Sequence, residues 1–230
     1  MPEGLIKGTK VIFLKIINGK IARKTAETDP NAEKYTNRDG EETWYEFYKS
    51  TVGLITSITH KDPPEQHKEW SGNWNINLKA GNTNLCLQLS EGSGYANAFF
   101  CILPNIDPNY TVTITPQEKE EVWNGVARNS RTLYISQQGE KALSWYYKKD
   151  DMKDMPAINK IEMRGKKTVY DDFERNEFFK KLMADFNSQI SIKKEAEPEE
   201  YEDKVAREAD EAEAVREKRT ATGDDEDLPF

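Results

Sequence analysis

Asn73-Trp74-Asn75-Ile76-Asn77-Leu78-Lys79 alternates apolar and polar residues without a break. An extended strand therefore gathers Trp74, Ile76 and Leu78 on one face and the asparagines with Lys79 on the other. Gly81-Asn82 turns the chain and Leu85-Cys86-Leu87-Gln88-Leu89 returns it. Upstream, the β-branched run Lys10–Ile17 meets Asn18-Gly19, a two-residue hairpin signal, and leaves as the basic strand Lys20–Lys24. Thr43-Trp44-Tyr45-Glu46-Phe47-Tyr48-Lys49 is the densest aromatic strand, and Val52–Thr59 is a further one. Downstream, Gly92-Ser93-Gly94 reads as a turn with no helix behind it, leading into a strand over Tyr95–Leu103. More strands are expected at 110–114, 131–136 and 141–148, the last two joined across Gln138-Gly139. Residues 25–42, 60–71 and 150–169 read as polar loops. Many short strands with tight turns predict an antiparallel sandwich or barrel.

One amphipathic helix is expected over 169–193, with Val169, Phe173, Phe178, Leu182 and Phe186 as its stripe, widened by Phe179 and Met183. It follows a body spanning 1–168 and packs on that body or on a second copy. From Lys194 the composition changes to Ala, Glu, Lys and Arg, too poor in apolar surface to offset ordering entropy. Residues 194–230 are expected to be a disordered tether with a sticky tip. They hold 15 acidic and 6 basic side chains, a net charge of −9, whereas the whole chain is at −8. The body is therefore near neutral, with 27 basic and 26 acidic groups. Its own net charge excludes tight binding to a polyanion unless the cations are segregated to one face.

Cys86 and Cys101 sit in apolar runs and read as buried free thiols of a reducing compartment. The start lacks the apolar block of a signal peptide, and no run approaches about 18 apolar residues, which predicts a cytoplasmic protein. The two histidines, His60 and His67, with Asp62 and Glu65 match no metal-ligand spacing, and a solvated loop explains them. No serine has the neighbourhood of a nucleophile elbow, and Asp150-Asp151 and Asp171-Asp172 lie at a loop and a helix start. The chain reads as a non-enzyme without cofactor or metal.

What remains is aromatic residues interleaved with basic ones. Single strands are held by rings that stack bases and by cations along the backbone. The candidate rings are Trp44, Tyr48, Trp70, Tyr134 and Tyr146; the candidate cations are Arg23, Lys49, Lys79, Arg131 and Lys141. Trp74 aligns with Ile76 and Leu78 and reads as core, as do Trp145 and Tyr147 beside Leu143. Tyr134 and Tyr146 fall on the polar phase of their strands. Between Trp44/Tyr48 and Tyr45/Phe47, period alone does not choose. Glu46 shares the first pair's face and favours that face as the exposed one.

The end of the chain, Asp224-Asp225-Glu226-Asp227-Leu228-Pro229-Phe230, sets four carboxylates before an apolar hook. Solubility explains the acids but not Leu228, Pro229 and Phe230. This stretch resembles the C-terminal tip of bacterial single-stranded DNA-binding proteins. The overall layout is similar to that of bacteriophage single-stranded DNA-binding proteins. The resemblance implies an oligonucleotide/oligosaccharide-binding (OB) barrel with extra strands and a helix, and non-catalytic coating of single-stranded DNA in replication, recombination or repair. It also implies a tip that recruits a polymerase, helicase or primase and an acidic tail that competes with DNA for the groove. A homodimer fits this layout as well. The alternative from another class is a β-sandwich adaptor that binds proteins and no nucleic acid.

Overall fold

The computed structural model describes residues 10–37, 39–67, 71–123, 126–139, 141–163 and 167–196. Trp70, Arg164 and the segment 197–230, with the Asp224–Phe230 tip, lie outside the described residues. The chain is mainly β, with a C-terminal helix. Strands β1 (Val11–Ile17), β2 (Lys20–Lys24), β3 (Glu33–Thr36), β4 (Glu42–Tyr48), β5 (Thr51–Lys61), β6 (Asn73–Ala80) and β7 (Thr83–Ser90) lead to helix α1 (Gly94–Ile102). Strands β8 (Val112–Trp123), β9 (Val126–Gln137), β10 (Asn159–Met163) and β11 (Lys167–Asp171) follow, then α2 (Phe173–Ala196).

Nine strands form one sheet in the order β3-β4-β2-β1-β7-β6-β5-β8-β9, and β10-β11 form a separate hairpin. Strands β5, β6 and β7 are a meander, and β8 returns through α1 to lie beside β5. The spatial order β8-β5-β6-β7 is that of a Greek key. The β1–β7 pair is parallel, so the sheet is not wholly antiparallel as expected. Nor does it close: β3 and β9 remain its edges among the described residues.

The sheet curls nonetheless. Asn18 (φ 49) and Gly19 (φ 73) form the two-residue turn with both residues left-handed that Asn-Gly favours. That turn abuts β8 so closely that a Cβ on Gly19 would stand 2.8 Å from the Glu118 nitrogen. Gly53 plays a different part. There β5 exchanges β6 for β8 as its partner, and a Cβ would meet Leu78 Cβ and the Lys79 carbonyl at 3.0 Å each.

The core fills the concave side. Trp74, Ile76, Leu78, Leu87 and Leu89 pack with Phe99 and Phe100 of α1 and Phe179, Phe186 and Ile190 of α2. Phe100 and Phe179 stack with centroids 4.4 Å apart, and Trp74 stands edge-on to Phe100 at 4.6 Å. Both cysteines are buried without a disulfide. Burial pushes the Cys86 thiol up and carries Cys101 to about 11.

Several sequence expectations need correction. The run 95–103 is a helix, not a strand: a short run whose one polar residue is Asn97 has too little period to separate the two. Ser93 decides it, because its Oγ accepts the Ala96 N–H at 3.1 Å as an N-cap. Residues 141–148 are an irregular segment rather than a strand. After the Leu143 N–H bonds the Ile135 carbonyl, the N–H groups of Tyr146 and Tyr147 turn to the Cys101 carbonyl at the end of α1. Tyr147 is buried as expected, but Trp145 is 36% exposed and is not core. The loop 25–42 contains β3, and 150–169 contains β10 and the start of β11. Val169 belongs to β11, so α2 begins at Phe173.

Candidate nucleic-acid interface

Register divides the nine-stranded sheet into a core side and an outer side. Trp74, Ile76 and Leu78 define the core side, and their alternates Asn73, Asn75, Asn77 and Lys79 define the outer one. Ladder partners share a face, so the outer side continues through Asn84, Cys86 and Gln88 of β7 to Val11, Phe13 and Lys15 of β1. From β1 it passes to Lys20, Ala22 and Lys24 of β2, then to Tyr45 and Phe47 of β4, then to Glu33 and Tyr35 of β3. On the other flank it takes in Ser57, Thr59 and Lys61 of β5, and on β8 and β9 the pair Thr115 and Tyr134.

Charge follows this division. The outer side of β1–β7 carries Lys15, Lys20, Lys24, Lys61 and Lys79, with Glu33 its one acidic side chain among the described residues. On the core side of the same strands the cations are neutralised. Arg23 pairs with Glu46 at 3.5 Å, and Lys34 with Glu42 at 2.7 Å. Between the outer lysines lies a carpet of uncharged amides. Gln88 Nε2 donates to Asn75 Oδ1 at 3.1 Å, and Asn77 Nδ2 donates to Ser57 Oγ at 3.0 Å.

The expected site residues are not brought together. Trp44 and Tyr48 lie half-buried on the core side of β4 with Glu46, the reverse of the face favoured from sequence. Tyr48 packs against the core, and its hydroxyl is pushed up to about 12, first by burial and then by Glu46. Arg23 is on that side too, tied to Glu46. Arg131 donates from Nε to Glu118 Oε1 at 3.1 Å, and the same carboxylate accepts Asn129 Nδ2 at 2.8 Å and the Tyr95 hydroxyl at 3.2 Å. Burial pushes Glu118 up, but these hydrogen bonds outweigh it and hold the carboxyl below its ordinary range. Arg131 is thus neutralised by Glu118, although its side chain stays exposed.

Tyr134 is 45% exposed on the outer side, with its hydroxyl donating to Gln117 at 3.0 Å. Lys79 is also outer, whereas Lys49 is exposed just past β4 and Lys141 is exposed in the 141–148 segment. Tyr146 is exposed, but Lys153 Nζ covers its ring at 3.2 Å from the centroid.

The outer face holds Phe13, which is 57% exposed, with Lys15, Lys20, Lys24 and Tyr35, which sequence reasoning passed over, and Tyr45 and Phe47, the pair it placed second. A signal for them was present in the polar phase of 73–79, but only the ladder partners carry that phase across to β1 and β4. His60 is the opposite case. It is not in a solvated loop; its ring lies 4.3 Å from that of Trp74, between the carboxylates of Asp62 (3.4 Å) and Glu91 (3.5 Å). Among the described residues no group of His, Cys, Asp and Glu is arranged to hold a metal, and no helix is long and apolar enough to cross a membrane.

Compared with protein-family models, with curated proteins and with solved structures, the chain matches none.

Proposed function

We propose that this protein binds single-stranded DNA without catalysis, along the outer side of its sheet. One observation carries the reading: among the described residues of the sheet the exposed rings, Phe13 and Tyr134, lie on that side with the lysines of β1–β7, while the cations of the core side are paired. A near-neutral body thereby gains a local basic field without a net charge. Rings and lysines set among uncharged amides suit a flexible polyanion with stackable bases. The Greek key β8-β5-β6-β7 with β9 as a fifth strand supports an OB-type barrel, a partly open five-stranded form. Its ligand-bearing second and third strands would be β6 and β7, the pair with the amide carpet. The Asp224–Phe230 tip is read as a docking hook for replication and repair proteins, and the acids of 197–230 as a tethered competitor for the lysine face.

Anisotropy of a labelled oligo-dT tests this reading. Binding is expected at about 50 mM salt and should weaken steeply by about 200 mM, with a log–log slope of about −0.7 per phosphate contact. No binding at the lower salt would overturn the proposal. Truncation after Ala196 should tighten binding at low salt; unchanged affinity would remove the competing role of the tail.

A further inference from the structure

Strands β1–β4 stand outside the Greek key, yet they carry most of the rings on the outer side. Tyr35 and Tyr45 meet edge-on with centroids 6.1 Å apart, and Tyr45 and Phe47 are 6.2 Å apart. Lys20 Nζ stands 6.0 Å from the Phe47 centroid. Lys24 is opposite Tyr45 in register, and Lys15, Ala22 and Phe47 form one row across three strands. Phe13 is opposite Cys86 of β7, so the patch runs directly into the β6–β7 amide carpet.

We infer that this patch, with Phe13, Tyr45 and Phe47 as stacking rings and Lys15, Lys20 and Lys24 as phosphate contacts, is a second single-strand subsite continuous with the first. The inference rests on the DNA-binding reading above. Three features favour a ligand over a purely structural role. The helices pack on the other side, where Phe99, Phe100 and Phe179 line the core. Phe13 is the most exposed ring of β1–β9 among the described residues and adds little to packing. The lysines have no carboxylate within salt-bridge distance among the described residues, unlike Arg23 and Lys34 on the reverse of β2 and β3. Rings flanked by unneutralised cations select a polyanion with flat apolar groups, which describes a single-stranded nucleic acid.

From β6 to β3 there are five strand spacings, roughly 24 Å in all. A strand laid across them would occlude more nucleotides than the Greek key alone. Three variants test this: Phe13→Ala, Phe13→Trp, and Lys20→Gln with Lys24→Gln. Phe13→Ala should weaken a long oligo-dT by about 5-fold or more, the loss of one stacked base, and shorten the occluded length. The double lysine variant should flatten the salt slope by about 1.4. Phe13→Trp should keep wild-type affinity and add fluorescence that the oligonucleotide quenches. A short oligo-dT of about 4 nucleotides, which the amide carpet alone accommodates, should bind all variants alike. If the wild type binds but the variants keep its affinity, occluded length and slope, the subsite is overturned, and binding of a peptide of residues 217–230 would assign the patch to an acidic partner. If the wild type fails to bind at low salt, the DNA-binding reading itself falls.

Discussion

The side chain of Asn187 holds β5 where β5 has no second strand. Its Oδ1 accepts the Ile58 N–H at 2.9 Å, and its Nδ2 donates to the Ile58 carbonyl at 2.7 Å. One amide thus satisfies a donor and an acceptor and pins α2 to the sheet. Asn187→Ala should cost about 1–3 kcal/mol for each backbone group left unpaired, read from the denaturation midpoint. Asn187→Asp keeps the acceptor but sets a carboxylate against a carbonyl oxygen. Its pKa should rise above the unfolded value of about 4 in the folded state, so its deficit relative to wild type should shrink as pH falls through the raised folded value and level off below about pH 4, with the acid protonated and able to donate. A deficit that does not change with pH would show that the amide donor is not what matters. Tyr147 makes a separate pH case. Burial, then Asp154 and Tyr146, push its hydroxyl up to about 12. The folded state therefore holds the proton more tightly than the unfolded chain, and the stability this gives is full below pH about 10 and lost as pH rises through about 12. Tyr95 and Tyr48 are pushed to about 12 as well, so alkaline unfolding should be steep across that window. Tyr147→Phe should soften it, as the urea midpoint at about pH 8 and about pH 11.5 would show.

Among the elements, α1 depends on its cap more than on its pattern. Seven of its nine residues are buried, so no polar stripe marks it as a helix. Ser93→Ala should cost about 1 kcal/mol through loss of the Ala96 hydrogen bond, and Ser93→Asp should recover it. A thermal melt would check both. The elements also show how far the sequence could be read. The meander β5-β6-β7 and the Asn18-Gly19 turn were legible because period and turn chemistry are local. Strand β4 shows where this ends. Its period marks two faces but not which one looks inward. Glu46 argued for an outward face, yet it is matched by Arg23, a partner on β2 that only the ladder reveals. The Gln138-Gly139 turn was likewise legible, with both residues at positive φ, but no strand follows it. The end of α1 captures those backbone groups instead.

At the scale of the molecule, the outer face was invisible as a unit because its members come from nine strands spread along the chain. The tryptophan signal also changes meaning. Trp74 is fully buried, and Trp44 is half-buried on the core side, so neither is a direct reporter of the outer face. A ring introduced at position 13 would report it better.

Strand β5 belongs to both halves of the sheet. It keeps β6 along Leu54–Lys61, but it meets β8 only over Thr51–Gly53, opposite Val112–Ile114. Three register pairs are a short zipper for a hairpin of two twelve-residue strands, and α1 packs on β9. The β8–β9 hairpin should therefore breathe as a unit. In native-state hydrogen exchange, amides of Thr51–Gly53 and Val112–Ile114 should open at lower free energy than those of β6 and β7. Equal protection on both sides would refute this. A polymer reaching from Lys79 to Tyr134 crosses that seam, so occupancy would appear as lost breathing where no ligand atom need touch the amides.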